Sequence, residues 1–86
     1  MPILKLEDML NSEGQTTRIQ ILKFLLEKPR TPYEISKLTG LNYSTVRYHL
    51  DVLQKFGLVN YSKDRRMRIV YRITKDGINL LRNEGV

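Results

Sequence analysis

Thr31-Pro32-Tyr33-Glu34-Ile35-Ser36-Lys37-Leu38-Thr39-Gly40-Leu41-Asn42-Tyr43-Ser44-Thr45-Val46-Arg47-Tyr48-His49-Leu50-Asp51-Val52-Leu53 holds a helix start, a helix stop and a second helix start in close succession. Thr31 is placed to cap, Pro32 suits the first helical position, and Glu34 completes a reciprocal capping box. Ile35 and Leu38 are expected to face inward. Gly40 follows as a left-handed C-terminal residue, so this helix is short. A new helix opens at Asn42 or Tyr43, with Val46, Leu50 and Leu53 at i, i+4 and i+7 on one stripe. Gly57 ends it. Two helices joined by a few residues that include a glycine match the turn length of a helix-turn-helix unit.

Downstream of this unit the period changes from helical to alternating. Residues 58–61 read as a strand, 63–65 as a charged turn and 68–73 as the return strand. On that strand Met67, Ile69, Tyr71 and Ile73 are expected on one face, and Arg66, Arg68, Val70 and Arg72 on the other. Thr74 caps a final helix that carries Ile78 and Leu81 inward, with Leu80 on the flank. Upstream, residues 16–28 read as a helix with Ile19, Leu22 and Leu26 as its stripe, widened by Ile21, Phe24 and Leu25 and stopped by Pro29. Residues 3–10 space Ile3, Leu6 and Leu10 as a short amphipathic helix.

The chain has 86 residues, which is expected to form one domain over 1–86 with a modest core. It contains no cysteine, which excludes disulfides, thiolate metal sites and a cysteine nucleophile. The formal charge is +6, and residues 63–72 hold five cations against one acid, so a net +4 of that excess lies in one short segment. Such a balance favours a polyanionic partner. No apolar run approaches the ~18 residues that span a bilayer. The start carries Glu7 and Asp8 where a signal peptide would be basic, so a cytoplasmic location is expected.

The segment 31–53, with its Ser-Thr-Val-x-x-His-Leu-x-x-Leu pattern, resembles the DNA-binding unit of prokaryotic winged helix-turn-helix regulators. It is most similar to the arsenic-repressor-like and multiple-antibiotic-resistance-repressor-like groups. Phe56-Gly57-Leu58-Val59 resembles their junction between recognition helix and wing, and Ile73-Thr74-Lys75-Asp76-Gly77 the junction after the wing. The resemblance implies an α+β, mostly helical fold: a helix-turn-helix over about 31–56, a two-stranded β-hairpin wing over about 58–73, a C-terminal helix over about 74–84, and a flanking N-terminal helix. It also implies a transcriptional regulator that binds double-stranded DNA, with the second helix in the major groove. Some arsenic-repressor-like proteins sense metals through cysteines, or through paired histidine and aspartate. Those sets are missing here, so neither a metal nor another cofactor nor a small-molecule effector is carried over.

On this reading Asn42, Tyr43, Ser44, Thr45, Arg47 and Tyr48 form the DNA-facing start of the recognition helix. Arg47 leads for base contact, because bidentate arginine to guanine is the commonest specific contact. Lys63, Arg65, Arg66 and Arg68 at the hairpin are expected on the backbone or in a minor groove; the plainer alternative is a solubilising edge strand. Ile3, Leu6, Leu10, Ile78 and Leu81 are the candidate contacts of a homodimer, whose recognition helices would lie ~34 Å apart. His49 is expected to be packed or hydrogen-bonded rather than a ligand. No nucleophile–base pair, phosphate-cradling glycine loop or inward carboxylate pair supports an enzyme. The competing roles are a protein–protein adaptor in a transcription or replication complex, and RNA or single-strand binding through the tyrosines.

Overall fold

The computed structural model describes residues 15–83. In chain order these form α1 (Gln15–Glu27), α2 (Pro32–Thr39), α3 (Tyr43–Lys55), β1 (Val59–Lys63), β2 (Ile69–Ile73) and α4 (Lys75–Asn83). The two strands are antiparallel, with Tyr61 opposite Tyr71 at the centre of the register. A mostly helical body carrying one hairpin after a helix-turn-helix is the winged helix-turn-helix arrangement. The expected helix over residues 3–10, with Ile3, Leu6 and Leu10, lies outside the described residues.

Local chemistry sets the helix boundaries. At the start of α2 the Glu34 amide donates to Thr31 Oγ1 at 3.1 Å, and the Thr31 amide donates to Glu34 Oε1 at 2.8 Å. Gly40 closes the helix at φ 78°, where a side chain would be strained. Asn42 caps α3 by accepting from the Thr45 amide at 2.8 Å. At the other end of α3 the Leu58 amide donates to the Leu53 carbonyl at 3.0 Å and the Gly57 amide to the Gln54 carbonyl at 2.9 Å. That is a Schellman stop, with Gly57 left-handed at φ 73° and its flanking pair, Leu53 and Leu58, fully buried.

The core joins α1 (Ile21, Leu22, Leu25), α2 (Ile35), α3 (Val46, Leu50, Leu53), the wing (Leu58, Val59, Tyr71) and α4 (Leu80, Leu81). Several expected orientations are corrected. The inward face of α1 is Arg18, Ile21, Leu22 and Leu25, whereas Leu26 is 52% exposed. With apolar residues around most of α1, the stripe alone left its phase open, and packing on α3, β2 and α4 chose it. Leu38 is exposed, and Leu41, just beyond the turn, packs on the core instead. On α4 it is Leu80 and Leu81 that are buried, while Ile78 is only half-buried. Leu81 is thus a core residue, turned away from the surface a dimer contact would need.

Two tertiary ties hold the wing against the helices. Thr74 caps α4 by accepting from the Gly77 amide at 3.1 Å while its hydroxyl donates to the Gly57 carbonyl at 2.7 Å. One residue thereby joins the end of β2, the end of α3 and the start of α4. On the other edge of β2 the linker residue Arg30 exchanges two backbone hydrogen bonds with Tyr71, at 2.8 and 3.1 Å. This bridge was not legible in the sequence. Arg30 also donates through Nε to the Phe24 carbonyl at 3.0 Å and pairs with Glu27 at 2.6 Å, satisfying the end of α1.

Candidate nucleic-acid interface

The first turns of α3 and the hairpin provide the surface on which the predicted contact residues fall. Asn42, Tyr43, Ser44 and Tyr48 are exposed, and Thr45 and Arg47 are half-buried. Ser44 donates through its hydroxyl to Asn42 Oδ1 at 3.0 Å, so the two polar side chains at the helix start form one unit with the cap. Tyr43 and Tyr48 are the large side chains standing outward, at 49% and 59% exposure.

Arg47 behaves differently from a free surface cation. Its Nε is sealed from solvent without a hydrogen-bond partner among the described residues. The Tyr43 hydroxyl beside it holds its pKa above the ordinary value, against the opposing effect of burial. Burial pushes the pKa of the Tyr71 phenol up, with the Arg47 charge opposing it.

The hairpin tip is organised by one carboxylate. Asp64 Oδ1 accepts from the Arg66 amide at 2.8 Å and from the Arg68 amide at 2.9 Å. Its Oδ2 accepts from Arg68 Nε at 2.9 Å. The Arg68 amide, together with the Arg66 amide and the Arg68 guanidinium, holds the Asp64 carboxyl below the usual range. Met67 closes the turn at φ 62°, 67% exposed, so it is a turn residue and not the inward strand residue that alternation suggested. The strands run longer on the β1 side and shorter on the β2 side than expected, with the tip centred on 64–67. Arg68 is therefore already paired. Among the described residues Lys63, Arg65 and Arg66 have no ion-pair partner, and all three are exposed.

Helix and wing meet across a groove of about 610 Å³ lined by Thr31, Tyr33, Glu34, Tyr43, Met67, Arg68 and Ile69. The start of α2, the start of α3 and the base of the wing thus face one space. Behind α3, His49 is buried and accepts through Nδ1 from Arg18 Nε at 3.2 Å, as a packed histidine rather than an isolated one. Burial, and then the Arg18 charge, lowers its pKa. The Arg18 guanidinium also lies 5.9 Å from the centre of the Tyr48 ring. Arg18 was missed as a structural residue, although its spacing from Ile21, Leu22 and Leu25 (i, i+3, i+4, i+7) was visible. Among the described residues no group of three or more His, Cys, Asp or Glu is placed to hold a metal ion. No described helix is long and apolar enough to cross a membrane.

Residues 15–61 match the sequence model of the bacterial regulatory protein, arsR family. Over 59 residues, 69% of this chain, the sequence is 41% identical to an uncharacterised HTH-type transcriptional regulator of Methanocaldococcus jannaschii, of which it spans only 15%. The fold is similar to that of the transcriptional regulator BldR from Sulfolobus solfataricus, with a TM-score of 0.77 and 22% identity over 91% of this chain and 61% of that one. It is also similar to Streptococcus pneumoniae FabT, solved in complex with DNA, with a TM-score of 0.74 and 18% identity over 91% of this chain and 59% of that one. At those identities the two structures speak for the fold alone. The family match covers more than half of the chain, in the segment that forms the helix-turn-helix and enters the wing, and on that ground the chain belongs to the arsR family of bacterial regulatory proteins, winged-helix transcriptional regulators rather than enzymes.

Proposed function

We propose that this chain binds duplex DNA sequence-specifically, with α3 in the major groove and the wing on the phosphate backbone or in the adjacent minor groove. The observation that carries this reading is the shared groove: Tyr43 of α3 and Met67-Arg68-Ile69 of the wing line it together, so the exposed helix start and the basic hairpin address one side of the molecule. A helix fits the major groove with its first turns at the base edges, and arginines beside it suit backbone contact. The DNA complex of FabT, a protein of the same fold, supports this use of the surface. Asn42, Tyr43, Ser44, Thr45, Arg47 and Tyr48 make up the helix side of the interface. Lys63, Arg65 and Arg66 supply most of the electrostatic hold, and Arg68 contributes less because Asp64 already neutralises it.

The regulator acts as a homodimer on this reading, through the apolar N-terminal residues Ile3, Leu6 and Leu10 with the half-buried Ile78. Leu81 drops out because it is core. Two helices then meet half-sites ~34 Å apart.

The experiment is selection of duplexes from a random pool, followed by titration of the best duplex and of a random one at several salt concentrations. The expected result is a preferred, palindromic sequence whose binding weakens steeply with salt. Arg65→Ala with Arg66→Ala should weaken both duplexes alike and flatten the salt slope by about 2, since each arginine neutralises one phosphate. Absence of duplex binding by the wild-type chain at ~50 mM salt would refute the reading and favour a protein–protein adaptor.

A further inference from the structure

Arg18 stands in the first turn of α1 and is only 3% exposed. Arginines lie this deep only when they are paired, and a cation so covered is not placed to meet a phosphate. Its Nε donates to Nδ1 of the buried His49 at 3.2 Å. An arginine has no acceptor to offer, so this Nδ1 carries no proton and the imidazole is neutral. The guanidinium carbon also lies 5.9 Å from the centre of the Tyr48 ring. The imidazole meets the same ring edge-on, with centres 5.3 Å apart and planes at 67°. Arg18, His49 and Tyr48 therefore contact one another pairwise. Two of them are buried, and Tyr48 is exposed beside the start of α3.

A tyrosine on an open helix face can exchange among staggered χ1 positions. Tyr48 has two attractive contacts that belong to one position. The cation acts on the face of its ring more strongly for being withdrawn from water, and the edge-on pair adds a directional preference. Both partners are themselves held. Arg18 shares the inward face of α1 with Ile21, Leu22 and Leu25, and His49 is next to the fully buried Leu50. A ring that is already ordered loses less entropy when a ligand arrives, and it presents its hydroxyl at one place.

We propose that Arg18 and His49 are positioning residues for Tyr48, and that this buried pair holds the exposed phenol in the orientation in which it meets the duplex. This rests on the reading of α3 as the DNA-facing helix. It adds that α1, which lies outside the helix-turn-helix, takes part in setting which duplex is preferred.

The duplex selected by the wild type and a random duplex serve as probes. The proteins are the wild type, Arg18→Met, His49→Leu, Tyr48→Ala, and each of the first two variants combined with Tyr48→Ala. The quantity read is preference, the ratio of the two affinities, in which a general loss of folded protein cancels. Arg18→Met and His49→Leu should each lower preference by about fivefold, and Tyr48→Ala by at least as much. In the Tyr48→Ala background neither should lower it further by more than about twofold, because both act through the ring that is gone. Equal losses in the two backgrounds, or full preference in Tyr48→Ala, would overturn the proposal while leaving the DNA reading intact. A second measurement needs no DNA. Three-bond couplings across χ1 of Tyr48 should show one rotamer in the wild type and averaging in Arg18→Met. Averaging already in the wild type would overturn the clamp, even if the variants fail to fold. A wild type that binds no duplex refutes the DNA reading and the role in preference with it, while the couplings still decide the clamp.

Discussion

Replacing Gly77 by alanine sets two effects of opposite sign against each other. Gly77 lies in the first turn of α4, where helix propensity alone favours alanine by about 1 kcal/mol. A Cβ at this position would stand 2.5 Å from the Leu58 carbonyl oxygen and 2.6 Å from Ile73 Cγ1. The carbonyl has little room to yield, since it belongs to the junction of α3 and β1 and accepts from the Thr74 amide at 3.0 Å. The helix itself must withdraw by roughly 1 Å to reach ordinary contact. Leu80 and Leu81 move with it, away from the core that they fill, and the cap on Thr74 is strained. Overpacking of this kind costs about 1–3 kcal/mol and the strained cap about 1 kcal/mol more. After the gain in propensity, Gly77→Ala is expected to destabilise by about 1–3 kcal/mol. For a domain of this size that lowers Tm by roughly 5–20 °C. Thermal and urea unfolding followed by circular dichroism measure it directly. A variant as stable as the wild type, or more stable, would show that propensity outweighs the contact and that the packing account is wrong. Gly40→Ala is a useful contrast, because nothing lies within 4 Å of its Cβ position and only its left-handed backbone resists substitution.

Three further outcomes follow from the wing and from α3. Met67→Gly should stabilise the chain by about 0.5–1 kcal/mol, since φ 62° strains methionine and not glycine; a lower urea midpoint would contradict this. Asp64→Ala makes the wing more positive yet should weaken duplex binding, because the carboxylate that orders the Arg66 and Arg68 amides is gone; tighter binding by titration would show that charge, not tip geometry, dominates. His49 has its pKa lowered on folding, so below the ordinary value near about 6.5 the unfolded chain takes up more protons than the folded one. Stability is then complete above that pH and declines as pH falls towards the lowered value. Urea unfolding at about pH 7.5 and 5 should show a larger loss for the wild type than for His49→Gln, and equal losses would rule out His49 as the cause.

The boundaries of α2 and α3 were legible because each depends on residues within one turn. The box of Thr31 and Glu34, the opening at Asn42 or Tyr43, and the stops at Gly40 and Gly57 are local hydrogen-bonding and backbone choices, and all four stand in the structure. The switch of period after Gly57 marked the hairpin for the same reason, and the cluster of arginines marked the wing as its charged part. Side-chain identity along α3 likewise separated Val46, Leu50 and Leu53 from the outward row.

What lay beyond the sequence depended on partners far along the chain. Apolar residues surround most of α1, so only packing against α3, β2 and α4 turned Arg18 inward and Leu26 outward. The bridge from Arg30 to Tyr71 carries no local signature, because either residue would satisfy the same propensities elsewhere. The same holds for Arg47. The sequence placed it on the second helix of the helix-turn-helix, where the family resemblance implies base contact. The tertiary structure half-buries it and seals its Nε from solvent, a burial that residue spacing along α3 does not announce because the covering groups come from elsewhere in the fold.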